Sequence, residues 1–277
     1  MKLSHFRPQA FWAVLDKIDQ DSMSKTWDAR QRNKLLIALL IAASCLLFVN
    51  YVKNGSFFFA MIKQFSLWSG TSPRAVFQEM RGQPFYSLYP QAWWGLVNVI
   101  GYLLVPMICV KWVMKERLRD YGLQWGGVSE HKWWYVLLAS PIMVFAILVS
   151  FRQDFSTHYP FYPLAYRSWI DLLLWECIYI SQFIAIEFFF RGFLINALKP
   201  RLGSLSILVM CLPYVMIHFP KPWLESTGAI LFGLFLGMLA LRSRSIWGGV
   251  LVHVTIALTM DVAALLQGKG LPSVFLP

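Results

Sequence analysis

The sequence predicts an all-α membrane protein, a polytopic bundle of about seven or eight transmembrane helices. Three observations carry this. Hydrophobic residues make up 57% of the 277 and charged residues only 14%, whereas a soluble domain carries about 25% charged residues. The apolar residues come in long runs, and about 20 such residues span a bilayer. The Lys and Arg residues cluster in alternate loops between the runs. An ordinary soluble enzyme, a disordered chain and a disulfide-stapled small domain are excluded on the first point.

Taken in order, residues 1–34 mix acidic and basic side chains. No small-residue cleavage site follows the first apolar run. They read as a cytoplasmic leader rather than a signal peptide, with an interfacial helix around 11–18. The first span, 35–52, has no charge and only Ser44 and Asn50 as clearly polar residues. The stretch 52–92 holds Pro73, Pro84 and Pro90 and reads as a long extracytoplasmic loop. Within it, 56–68 is an interfacial element interrupted by Lys63. Spans two and three, 94–110 and 133–151, are uncharged. Span four, 169–190, carries Asp171, Glu176 and Glu187. Span five, 205–217, is short and contains Pro213. Span six, 227–241, is uncharged, and span seven, 246–266, contains His253 and Asp261. The chain therefore divides into a leader (1–34), N-terminal membrane helices with their loop (35–168), a core that carries the chemistry (169–266) and a tail (267–277). There is no internal repeat. Cys45, Cys109, Cys177 and Cys211 lie in apolar spans without metal-ligand spacing or a disulfide framework.

The net charge of +11 reads as topology. With the N-terminus inside and seven alternating spans, 17 of the 25 Lys and Arg fall inside and eight outside, as the positive-inside rule requires. Nucleic-acid binding is not expected; attraction to anionic lipid is. Trp93, Trp94, Trp112, Trp133, Trp134, Trp169 and Trp247 lie near span ends, the aromatic belt of an integral protein.

Ionisable side chains inside spans are costly and mark function by default. Here they concentrate in the last four spans. Glu187 and Arg191 are four apart and share a helix face. Glu176, three turns earlier, lies on nearly the same stripe. If the fourth helix turns near 198–203, Glu187 lies roughly 17 Å from that turn and His218 roughly 22 Å beyond it. His253 lies roughly 15 Å from the turn at Ser243. One carboxylate and two imidazoles thus reach similar depth on three helices. Gly249, His253, Ala257 and Asp261 form one row. Gly233 and Gly237 form a GxxxG pair that permits close helix packing.

Three stretches carry a resemblance. They are Ile186-Glu187-Phe188-Phe189-Phe190-Arg191-Gly192, Tyr214-Val215-Met216-Ile217-His218 and His253-Val254-Thr255-Ile256-Ala257. In order and spacing they resemble the E-E-x-x-x-R, F-x-x-x-H and H-x-x-x-N motifs of the CAAX protease and bacteriocin-processing family, which includes the type II CAAX prenyl endopeptidases. The similarity covers about 169–266. Two positions depart from the family pattern: Ile186 replaces the first glutamate and Ala257 the asparagine.

The resemblance implies an intramembrane endopeptidase in the cytoplasmic membrane of a bacterium, acting on a membrane-associated peptide or protein. Glu187 and His218 activate water, His253 donates to the oxyanion, and Arg191 orients Glu187. Glu176, Tyr214 and Asp261 line the site. Asp261, about 12 Å along the axis from His253, does not stand in for the asparagine. No cofactor is expected. Glu187, His218 and His253 are suitable zinc ligands by type, but nothing in their spacing demands a metal. The alternatives are a non-catalytic relative that binds membrane peptides or aids a partner's maturation, and a proton-coupled transporter. The absence of repeats counts against the transporter.

Overall fold

The computed structural model describes residues 8–23 and 28–277. Among them there is no strand. The helices are α1 (Pro8–Ser22), α2 (Ala29–Val52), α3 (Gly55–Trp68), α4 (Pro73–Arg81), α5 (Tyr86–Val113), α6 (Lys132–Val149), α7 (Trp169–Leu202), α8 (Leu205–Met216), α9 (Trp223–Ser243) and α10 (Trp247–Gln267). Six of them, α2, α5, α6, α7, α9 and α10, are long and apolar enough to cross a membrane, and α8 is a shorter apolar helix. The seven predicted spans are these seven helices. Within 52–92 the expected element at 56–68 is α3; the loop expected around it is corrected by α4, with Pro73 at its first turn, where a missing N–H costs nothing.

The start of α7 is closed by a side-chain cap and by the C-terminal tail. At the start of α7, the Ser168 hydroxyl accepts the Asp171 backbone N–H (3.1 Å) and donates to the Asp171 carboxylate (2.8 Å). Ser168 is thus the N-cap, its hydroxyl answering one of the free N–H groups of the first turn. The tail supplies acceptors for two more N–H groups of that turn, Trp169 to Val274 O and Ile170 to Phe275 O. Asp171 also accepts from Tyr162 (2.8 Å) and from two nitrogens of Arg167. Its hydrogen bond to Arg167 raises that guanidinium's pKa. Burial, and then the same carboxylate, raises that of the Tyr162 phenol. Asp171 is therefore a structural cap rather than a membrane-embedded functional charge.

The chain forms two compact units. The first comprises Met1–Ser44, Val105–Trp133 and Glu187–Gly249. In it α8 packs on α9 across the two glycines. A Cβ at Gly233 would lie 2.5 Å from Cys211 Sγ, and one at Gly237 2.8 Å from Ile207 Cγ2, so the GxxxG pair serves helix contact. The Asp19 carboxylate of α1 accepts the Ser204 N–H at the α7–α8 turn. Gly203 there has φ of 52°, a conformation that favours glycine. The basic residues of 111–132 and 191–204, with Arg242 and Arg244, all fall in this unit.

The second unit comprises Cys45–Leu104, Trp134–Ile186 and Val250–Pro277. Its core is aromatic. Trp175, Tyr179 and Phe183, spaced four apart on α7, pack with Tyr162, Leu172, Ala257 and Leu265. Trp175 stacks on Tyr179 at 5.0 Å and Trp94 of α5 on Trp175 at 6.1 Å.

Candidate active site

In the first unit, Glu187 is the last residue before a seven-residue π-helical stretch, Phe188–Leu194, inside α7. Such stretches move hydrogen-bond partners by one residue and occur often at functional sites. The Asn196 side chain donates to the backbone carbonyls of Arg191 (3.2 Å) and Gly192 (2.6 Å). This answers acceptors that the change of register leaves over. Arg191 Nη1 lies 3.1 Å from Glu187 Oε1, and both side chains are at most 1% exposed.

The guanidinium also lies on the Tyr214 ring, 4.0 Å from its centroid, where the negative face of the ring attracts a cation. Tyr214 in turn meets the His218 ring at 4.7 Å. His218 Nδ1 is 2.8 Å from the Tyr214 carbonyl. A carbonyl only accepts, so Nδ1–H donates and Nε2 is the acceptor nitrogen. The Ser226 hydroxyl donates to the His218 carbonyl at 2.7 Å and holds the turn. Glu187, Arg191, Tyr214 and His218 thus form one chain of contacts. His218 is half-buried and Glu187 is fully buried.

The first turn of α10 completes this arrangement. A Cβ at Gly249 would lie 2.1 Å from Glu187 Oε2, so the carboxylate sits directly against the α10 backbone. In the sequence Gly249 stands only as the first member of the α10 row. Its contact with Glu187 depends on two helices far apart in sequence.

The second unit holds Glu176, His253 and Asp261. His253 stacks flat on Phe183, 5.5 Å between centroids at 12°. One turn on, Ala257 is 5% exposed within the aromatic cluster. One turn further, Asp261 Oδ2 accepts from Trp175 Nε1 at 2.7 Å. Asp261 is fully buried, and its Oδ1 has no hydrogen-bond partner among the described residues. Glu176 lies within electrostatic reach of it. Three members of the row read from the spacing of α10, His253, Ala257 and Asp261, therefore face aromatic side chains of α7.

One expectation about geometry changes. The depth given to His218 assumed helix as far as that residue. α8 ends at Met216, with Pro213 inside it, and His218 sits in the following turn, its N–H on Val215 O. The π stretch and the supporting contacts of Asn196 and Ser226 are additions the sequence did not announce. A π stretch has no composition signal, and both polar contacts look like ordinary surface chemistry until the fold is known. Among the described residues no three His, Cys, Asp or Glu side chains gather in a way that could hold a metal ion.

Residues 167–259 match the family model described as Type II CAAX prenyl endopeptidase Rce1-like. The match spans about a third of the chain and includes Glu176, Glu187, Arg191, Tyr214, His218 and His253, while Asp261 lies outside it. No curated protein and no solved structure matches the chain. The match supports an intramembrane protease in general terms, on a helical membrane scaffold.

Proposed function

We propose that the protein is an intramembrane endopeptidase of the CAAX-protease type. It hydrolyses a peptide bond of a membrane-associated substrate with water activated by Glu187 and His218. The observation that carries this reading is the contact chain from buried Glu187 through Arg191 and Tyr214 to half-buried His218, inside the matched segment. Arg191 fixes one face of the Glu187 carboxylate and keeps it available as a proton acceptor. His218, with its proton on Nδ1, offers Nε2 to the attacking water. Water loses a proton to this pair as its oxygen adds to the peptide carbonyl, and the proton then passes to the leaving amine. His253 takes the role that the motif resemblance gives it, donation to the developing oxyanion. The protein lies in the cytoplasmic membrane of a bacterium with its N-terminus and basic loops inside.

One observation favours a second reading, a relative that binds membrane peptides without cleaving them. Ala257, at the motif asparagine, is buried among Trp175, Tyr179 and Phe183 and offers the oxyanion no polar group.

The deciding experiment is cleavage of a membrane-anchored peptide library by the purified chain, alongside Glu187→Ala and His218→Ala. The enzyme reading expects wild-type cleavage that both substitutions abolish. Peptide capture without cleavage by wild type establishes the second reading.

A further inference from the structure

The first unit contains a cavity of about 970 Å³ walled by α1, the 117–131 loop, the C-terminal part of α7 and the α9–α10 turn. Seven Lys and Arg side chains line it against three Asp and Glu. Two of the charges are answered from within: Arg117 binds Asp120 at 3.0 Å, and Arg191, at the inner wall, is paired with Glu187. Lys17, Arg242 and Arg244 have no carboxylate within ion-pair distance among the described residues. Lys199 joins them, its ammonium on Asn196 Oδ1 at 2.6 Å.

The walls are fixed in advance. Gly127 N–H donates to Ser243 O at 2.8 Å, Ile246 N–H to Gly122 O at 3.1 Å, and Gln124 Nε2 to Arg244 O at 3.1 Å. Trp125 stacks on Trp247 at 5.6 Å. Gly126, with φ of 51°, comes so near that a Cβ would lie 2.2 Å from Ser243 O. Arg244 ends α9 in the left-handed conformation, φ 53°, where glycine is the easier residue. A cation is thus kept at the place where the backbone would favour no side chain.

We propose that this cavity binds a phosphate-bearing anion, a ligand other than the peptide substrate, with Arg191 on its inner wall shared with the candidate active site. Guanidinium and ammonium groups converging from several elements match phosphate oxygens with charge-assisted hydrogen bonds. Basic pockets between membrane helices hold acidic phospholipid headgroups in this way. The segments that wall the cavity, or lead directly into it, carry exposed Trp12, Trp112 and Trp133, side chains that favour headgroup level. The phosphate belongs either to such a headgroup or to a soluble phosphate compound.

The test uses the purified full-length chain in neutral detergent, offered cardiolipin, phosphatidylcholine or inorganic pyrophosphate. Native mass spectrometry counts bound ligand, and thermal unfolding is a second readout. Cardiolipin, pyrophosphate or both bind and raise the unfolding temperature, and phosphatidylcholine does neither. Lys17→Gln with Arg242→Gln weakens binding about tenfold, and Lys17→Arg with Arg242→Lys restores most of it. Arg74→Gln with Arg81→Gln, an equal charge loss on α4, leaves binding unchanged. Should the first pair fail to fold, Arg244→Gln serves in its place. Cardiolipin binding alone assigns the site to a lipid headgroup. Pyrophosphate binding with the same sensitivity to substitution assigns it to a soluble compound. Failure of both anions to bind wild-type protein, or equal weakening by the α4 pair, overturns the proposal.

Discussion

The Glu187 carboxylate lies where the β-carbon of residue 249 would be, 2.1 Å from its Oε2, so any larger residue there has to displace the carboxylate from its place beside Arg191. Close approach at a glycine is common between membrane helices. Here the group that approaches is the one carboxylate of the matched motif, and its partner Arg191 is buried with it.

Gly249→Ala therefore tests the geometry directly. Alanine normally gains up to about 1 kcal/mol over glycine inside a helix. At 249 that gain is opposed by a clash with Glu187 costing about 1–3 kcal/mol. The substitution is expected to lower the unfolding temperature and to reduce activity severely. Gly228→Ala, on α9 with nothing within 4 Å of the added methyl, is expected to raise the unfolding temperature slightly. Equal behaviour of the two variants in thermal unfolding counts against the contact.

The Glu187–Arg191 pair makes a prediction that separates folding from chemistry. Removing one member leaves a buried charge without its counter-charge, at a cost of about 3–5 kcal/mol. Glu187→Gln is expected to be markedly unstable in denaturant titration. Glu187→Gln combined with Arg191→Met recovers most of that loss, because no charge is left stranded. Neither variant cleaves peptide. A stable but inactive double variant assigns the inactivity to missing chemistry rather than to misfolding.

Ala257→Asn restores the residue type that the motif leads one to expect, yet it is expected to fail as a repair. The site is 5% exposed and packed among aromatic rings. Burying an amide there without matching partners costs about 1–3 kcal/mol. The expected outcome is a lower unfolding temperature with no gain in cleavage. A gain in cleavage instead shows that the aromatic cluster opens to admit the polar group.

Much of this was legible in the chain alone. Run length and charge scarcity located all seven apolar helices, because the bilayer imposes a length and an apolar composition on every span, although α2, α5 and α7 run several residues past the predicted ends. The four-residue spacing of Glu187 and Arg191 foretold their ion pair, and the spacing of His253, Ala257 and Asp261 foretold their row, because helical periodicity is local. The stretch 52–92 was less legible. Its prolines suggested loop, although Pro73 in fact starts a helix.

Only the tertiary structure decided the rest. It brought Tyr214 between Arg191 and His218, pressed Glu187 against Gly249 and ended α8 before His218. It also gathered Lys17, Lys199 and Arg242, from three distant segments, around one cavity. Such contacts depend on where separate helices meet and how their ends turn. Side-chain volume and backbone register fix those meetings, and neither leaves a periodic mark in the sequence.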